Sequence, residues 1–229
     1  MSVSVIIPCA GRSKRFGELK QFKMLNGEPL VFKSIKIFLQ IDKINEIIIP
    51  IPKGNYEPLN IFLDNKSFKK KIKVIKGGST RQESVEKGME QVNNNSSLVC
   101  IHDAARPFVE KVLIENCIKK CDHYDGSIVA IKPTDTIKFS KTNTIENTID
   151  RNKIWLAQTP QVFNKAKLKR AIKKAKTSNI KATDESYLME KMGYKINIVE
   201  GSAINLKITF KSDWSFAEHL EKNFNEYRI

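Results

Sequence analysis

The chain has 229 residues, 41% hydrophobic and 28% charged, enough for one sizeable core or two small ones and too apolar for wholesale disorder. Its longest apolar runs, Val5-Ile6-Ile7 and Ile47-Ile48-Ile49, are far too short to cross a bilayer, so no membrane span is expected. The net charge is +15, from 40 basic and 25 acidic side chains, but the lysines are dispersed, which fits a solvated surface better than a focused nucleic-acid footprint and favours a polyanionic small substrate. In chain order, short β-branched runs predict strands at Val3–Ile7, Glu46–Ile51, Ile72–Ile75, Leu98–Ile101, Ser127–Ile131 and Lys195–Val199. Amphipathic stretches predict helices at Leu30–Gln40, Thr80–Gln91, Lys111–Asp122, Asn164–Lys176 and Thr183–Met192. Strand followed by helix, with strands that are continuously apolar, implies an α/β fold: a mostly parallel sheet covered by helices on both faces.

Residues 133–153 break that rhythm. Pro133 to Ile149 is rich in β-branched residues around a polar turn near Lys141–Asn143, and predicts a protruding β-hairpin arm. Its apolar content is thin (Ile137, Phe139, Ile145, Ile149), so the arm needs something to lean on, such as another subunit. No linker divides the rest, and residues 1–229 are expected to form one domain. Cys9, Cys100, Cys117 and Cys121 form no Cys-x-x-Cys pair and the three histidines are scattered, so reduced thiols and no zinc site are expected. The first residues carry no basic leader, and a cytoplasmic location is the expectation.

Three segments concentrate chemistry. After the first strand, the small-residue turn Pro8-Cys9-Ala10-Gly11 offers backbone N–H groups at the carboxyl edge of a sheet, and Arg12, Lys14, Arg15 and Lys20 crowd around it. A basic surface loop has the same composition, and neither a Rossmann glycine fingerprint nor a Gly-Lys-Ser/Thr phosphate loop is present. Gly77-Gly78-Ser79-Thr80-Arg81-Gln82-Glu83-Ser84 opens a helix, with Ser79 or Thr80 as N-cap and Glu83 at capping-box distance. Capping does not ask for Arg81 in a first turn where the helix dipole disfavours cations. His102-Asp103-Ala104-Ala105-Arg106-Pro107 follows an apolar strand; there Asp103 suits a hard divalent cation and Arg106 a phosphate, although an Asp–Arg pair can equally fix a turn. His102 fits a packed neighbour better than a ligand.

These segments form part of an ordered set: Pro8-Cys-Ala-Gly11 with Arg15 and Lys20-Gln21-Phe22, Gly77-Gly78-x-x-Arg81-x-x-Ser84, His102-Asp-Ala-Ala-Arg-Pro107, Asp135-Thr136, Asp150-Arg151, Trp155, Gln158-Thr-Pro-Gln161, Thr183-Asp-Glu185 and Asn205-Leu-Lys207. The set spans nearly the whole chain and resembles the 2-C-methyl-D-erythritol 4-phosphate cytidylyltransferase family. The resemblance implies a Rossmann-like, glycosyltransferase-A-like nucleotidyltransferase fold. It implies a reaction of CTP with methylerythritol phosphate that releases pyrophosphate in non-mevalonate isoprenoid biosynthesis. It also implies that Arg15, Lys20 and Lys207 stabilise charge on the α-phosphate and leaving group, and that Asp103 holds Mg²⁺. Pro8, Cys9, Ala10, Gly11, Gly78, Ser79, Arg81, Ser84, Asp103 and Ala104 would bind CTP. Arg106, Thr136, Thr159 and Lys207 would face methylerythritol phosphate, and Arg151 would act in the partner's site of a homodimer built through the arm.

The arginine distribution agrees with this: in a lysine-rich chain, four of the seven arginines (Arg15, Arg81, Arg106, Arg151) fall in these motifs. The first loop departs from the family pattern, with Ser13 where a second glycine is usual, Leu19 where proline is usual, and a shorter span between Arg15 and Lys20. This puts the placement of Lys20, not its charge, at issue. Two rivals remain: a ribitol 5-phosphate cytidylyltransferase, against which Ala105 and Thr148-Ile-Asp-Arg151 speak, and a non-catalytic basic module that binds RNA.

Overall fold

The alternating pattern resolves, in a computed structural model that describes residues 1–11, 15–54, 59, 63 and 68–223, into a seven-stranded sheet with helices on both faces. The chain runs β1 (Val3–Ile6), a short pair β2 (Met24–Leu25) and β3 (Glu28–Pro29), α1 (Leu30–Leu39), β4 (Ile44–Ile51) and β5 (Lys71–Lys76). It continues through α2 (Arg81–Glu90), β6 (Leu98–Ile101), α3 (Lys111–Lys120), β7 (Gly126–Ile131), β8 (Ile137–Phe139) and β9 (Asn147–Ile149). Last come β10 (Leu156–Asn164), α4 (Lys165–Thr177), α5 (Glu185–Lys191), β11 (Ile196–Glu200) and α6 (Lys211–Lys222). Each predicted strand and helix is present, most within a residue or two of its expected ends. The predicted helix over Thr183–Met192 starts later, because Asp184 is its cap and accepts from the Tyr187 N–H at 3.0 Å.

Across the sheet the order is β11-β7-β10-β6-β1-β4-β5. All pairings are parallel except those of β10, which runs antiparallel to both β6 and β7. The chain leaves β1 towards β4 and β5 and returns to β6 on the other side of β1. That reversal opens a crevice at the carboxyl ends of β1 and β6, where α/β sheets bind ligands.

Alternate residues of the apolar strands supply two cores. Val5, Ile7, Ile47 and Ile49 pack with Ile35 and Phe38 of α1 and with Ile114 and Cys117 of α3. Ile6, Ile48, Val99 and Ile101 pack with Val85 of α2, Leu168 of α4 and Met189 of α5 on the other face. A third cluster, Phe16, Leu25, Leu30, Phe108, Trp214 and Leu220, presses α6 against the loop after β1.

Strand β10, helix α6 and the β2–β3 pair were not predicted. β10 hides because Gln158-Thr-Pro-Gln161 interrupts its apolar run with polar residues and a proline. The strand accommodates them with a register shift between Ala157 and Gln161, and the Thr159–Pro160 bond is cis. In α6 the buried Trp214, Ala217 and Leu220 recur every third residue, a stripe that the exposed Phe216 blurs. The predicted arm is there: β8 and β9 pair antiparallel, and Asn143 takes the left-handed conformation in the turn. Ile145 is 63% exposed and Phe139 40%, so the arm has no core of its own. All four cysteines are free thiols. Among the described residues no helix is long and apolar enough to cross a membrane.

Candidate active site

At the crevice beside β1 and β6 lies a cavity of about 250 Å³. The loops after β1, β5 and β6 and the segment after β11 all reach it, and they bring Arg15, Lys20, Arg81, Asp103 and Lys207 into one lining. Pro8, Cys9, Ala10, Gly11, Ser84 and Ala104 complete the predicted set along its wall. Gly78 and Ser79 line an adjoining cavity of about 460 Å³ that shares Ala10. Lys20, whose place the short loop left at issue, opens a 3-10 turn over Lys20–Phe22 and does reach the cavity. Arg12, Ser13 and Lys14 lie outside the described residues.

The first loop is held by its backbone. The Cys9 N–H donates to Pro50 O at 2.8 Å, and the Gln21 amide donates to Cys9 O and Gly11 O at 2.7 and 3.0 Å. Ala10 and Gly11 therefore keep main-chain N–H groups with no partner among the described residues. The glycine pair lets the second loop come close: a Cβ on Gly77 would lie 2.4 Å from that of Ala10, and one on Gly78 2.2 Å from that of Glu83. Thr80, not Ser79, caps α2, accepting from the Glu83 N–H at 3.1 Å, while the Glu83 carboxylate takes the Ser79 N–H at 2.8 Å. Neither of the two nucleophile types in the lining is free. Burial pushes the Cys9 thiol far up, and it donates to Ile7 O. The Ser84 hydroxyl donates to Thr80 O and accepts from the Gly78 N–H.

Asp103 is the electrostatic centre. Its Oδ1 accepts from Arg81 Nε at 3.0 Å and its Oδ2 meets Lys207 Nζ at 2.7 Å, with Arg106 Nε 3.9 Å away. Burial alone would raise the Asp103 pKa, but Arg81, Lys207 and Arg106 outweigh it and hold the carboxyl far below the usual range. Arg81 has a second carboxylate, Glu185, whose Oε1 accepts from Nη1 at 2.7 Å. That explains an arginine in a first helical turn: burial works against its charge, yet Glu185 and Asp103 together raise its pKa well above the ordinary value. Glu185 stands in the ordered set as part of Thr183-Asp-Glu185, but nothing in the neighbouring sequence marks it as the partner of Arg81.

Behind Asp103 runs a chain of hydrogen bonds. The Asp103 N–H donates to Thr159 Oγ1 at 3.0 Å, and Thr159 Oγ1 stands 3.1 Å from His102 Nδ1. His102 Nε2 lies 3.0 Å from the Arg106 carbonyl, which can only accept, so Nε2 carries the proton and Nδ1 accepts from the threonine. Burial lowers the His102 pKa to about 4, so the ring is neutral, and it packs 5.0 Å from Phe38, a core position as expected. Asn205 laces the Lys207 segment in place, donating to Gln158 Oε1 and Thr159 O while its carbonyl accepts from Arg106 Nη1 at 2.7 Å. Arg106 is thus turned into the protein, and neither it nor Thr159 lines the cavity.

The first-loop cations are held differently. Arg15 stands 5.7 Å from the centroid of the Phe210 ring and Lys20 Nζ 5.5 Å from that of Phe16. Burial, then Lys207 and Arg15, lower the Lys20 pKa. Thr136 and Arg151 are exposed on and beside the arm, outside the cavity, and Arg151 donates to Thr134 O.

Comparison with known proteins follows the same outline. The profile of the IspD family, 2-C-methyl-D-erythritol 4-phosphate cytidylyltransferase, matches residues 3–222. The 2-C-methyl-D-erythritol 4-phosphate cytidylyltransferase of Caldanaerobacter subterraneus is 39% identical over 223 residues, 95% of this chain and 98% of that one. The Dictyoglomus thermophilum protein of the same name is 38% identical over 216 residues, 93% and 94% of the two chains. Among solved structures, the 4-diphosphocytidyl-2C-methyl-D-erythritol synthase of Anaerococcus prevotii superposes with a TM-score of 0.86 at 28% identity, covering 96% of this chain and 98% of that one. The Thermus thermophilus cytidylyltransferase gives 0.81 at 30%, covering 97% and 100%. The chain belongs to the 2-C-methyl-D-erythritol 4-phosphate cytidylyltransferase family.

Proposed function

We propose that this chain makes 4-diphosphocytidyl-2-C-methyl-D-erythritol and pyrophosphate from CTP and 2-C-methyl-D-erythritol 4-phosphate. The observation that carries the reading is the cavity itself: four cations and one buried carboxylate converge on it, and its cysteine and serine are both engaged elsewhere. Such a lining suits direct transfer between two polyanions without a covalent enzyme intermediate. A phosphate oxygen of the substrate attacks the α-phosphorus of CTP, a P–O bond forms, and the bond to the β-phosphate breaks with pyrophosphate carrying the electron pair away. Arg15, Lys20 and Lys207 neutralise charge that grows on the α-phosphate and leaving group. The free N–H groups of Ala10 and Gly11 and the capped start of α2 cradle the nucleotide with Gly78, Ser79, Arg81, Ser84 and Ala104.

A divalent cation fits this donor set. Asp103 is ionised and lines the cavity, and among the described residues no cluster of three or more acidic, histidine or cysteine side chains could hold a metal alone. Mg²⁺ is commonly held by one or two carboxylates together with substrate phosphates. Asp103 would hold it on the triphosphate, where it neutralises phosphate charge. Thr159 and Arg106, held behind the cavity wall, support the site by fixing Asp103 and the Lys207 segment. Thr136 and Arg151 sit on an arm with exposed apolar residues, which supports a homodimer in which they serve the partner's cavity. In this reading residues 1–229 act as one nucleotidyltransferase domain.

Pyrophosphate release should appear with CTP plus methylerythritol phosphate, and far more weakly when UTP or ribitol 5-phosphate replaces either substrate. Preference for ribitol 5-phosphate would select the rival cytidylyltransferase, and no release with any pair would refute the reading.

A further inference from the structure

Glu185 begins α5, is 2% exposed, and does not line the cavity. Only its Oε1 is used, by Arg81; its Oε2 is buried without a hydrogen-bond partner among the described residues. A buried ion pair half satisfied in this way is weak evidence of a device for stability, since apolar side chains in place of both partners would often serve as well. It is a good device for fixing one guanidinium. The position of α5 is itself fixed: Gln161 of β10 donates to Asp184 Oδ2 at 2.8 Å and accepts from the Ser186 N–H at 3.3 Å. Thus the antiparallel strand clasps the residues on either side of Glu185.

We infer that Glu185 is a positioning residue that holds Arg81 in place for the nucleotide phosphates. The inference rests on the cytidylyltransferase reading and deepens it. Asp103 alone would be a weak anchor, because Arg81, Lys207 and Arg106 all share it and a bound divalent cation would take up the same oxygens. With Nη1 tied to Glu185 and Nε to Asp103, three of the five N–H donors of Arg81 remain for a ligand. When Asp103 changes partners, the tie to Glu185 keeps the fork from swinging away.

The test is a double-mutant cycle on the full chain, read by calorimetric titration with CTP and Mg²⁺ and by steady-state pyrophosphate release. E185Q keeps the shape and removes the charge, and should weaken CTP binding about tenfold, raising KM for CTP more than it lowers kcat. In an R81A background the same substitution should change CTP affinity less than twofold, because the residue through which Glu185 acts is gone. Equal CTP affinity of wild type and E185Q, or an undiminished effect in the R81A background, overturns the inference. If E185Q does not fold, E185D, which keeps the charge and shortens the reach, goes through the same cycle with the same two criteria. Wild-type chain that binds CTP but releases no pyrophosphate with any substrate overturns the catalytic reading alone, and the affinity cycle still decides the role of Glu185. Wild-type chain that binds no CTP overturns both.

Discussion

On the sheet side of the cavity, Arg81 and Lys207 stand 3.0 and 2.7 Å from the oxygens of a buried carboxylate, whereas on the first-loop side Arg15 and Lys20 stand 5.7 and 5.5 Å from the centres of aromatic rings. The first pair belongs to the fold as much as to the site. Asp103 needs its cations because an unpaired buried charge is expensive, and the cations are thereby aimed before any ligand arrives. Among the described residues neither member of the second pair has a carboxylate within ion-pair distance, so its charge stays available to an anion, and burial first, then the neighbouring Lys207 and Arg15, lower the Lys20 pKa. The difference teaches that one cavity can combine a rigid, charge-compensated back with an uncompensated front.

Breaking the compensated side should have the largest effect. D103N leaves Arg81, Arg106 and Lys207 without their shared counter-ion and should lower unfolding free energy by about 3–5 kcal/mol, read from the guanidinium denaturation midpoint. A midpoint equal to wild type would mean the cluster contributes nothing to the fold. K20A should behave in the opposite way: turnover falls roughly 10²–10³-fold, about 3–4 kcal/mol of transition-state stabilisation, with the midpoint nearly unmoved. A stability loss in K20A as large as in D103N would erase the distinction between the two sides.

The third effect sharpens the compensated side through its hydrogen-bond chain. The folded His102 refuses its proton until about pH 4, whereas the unfolded chain takes it up near the ordinary value of 6.5. Between those values the unfolded state binds more protons, so stability is fully present above pH 6.5 and falls as pH drops towards 4. For this buried group the loss is bounded at about 3 kcal/mol. Denaturation midpoints at pH 7, 5.5 and 4.5 should slope less in H102N than in wild type, and parallel slopes would remove His102 from the account.

Much of this arrangement was legible from the chain alone. Apolar runs such as Leu98–Ile101, buried at every residue, need no partner to be recognised as interior strands, and the parallel pairing of β1 with β4 and β6 and of β4 with β5 follows from strand–helix alternation. Arg81 was conspicuous because its helix position disfavours a cation, and the oddity led to the site. Other residues carried no such mark. Arg106 had the chemistry of a phosphate ligand, and its turn towards the Asn205 carbonyl depends on where the Lys207 segment is laid. Gln158, Thr159 and Gln161 stood in the ordered motif set without a strand being expected there, because polar side chains around a proline do not resemble a central strand. They are its most useful part, tying down Asn205, Asp103 and Asp184 respectively.

The sequence by itself determined the layers, the parallel core and the segments that carry charge, because apolar continuity and turn chemistry are properties of residues a few positions apart. Tertiary structure alone decided which charge meets which. Arg81 reaches Asp103 across 22 positions because the segments after β5 and β6 meet at the carboxyl edge of the sheet, and Glu185 across 104 because an antiparallel strand, invisible in its own composition, clasps the start of α5.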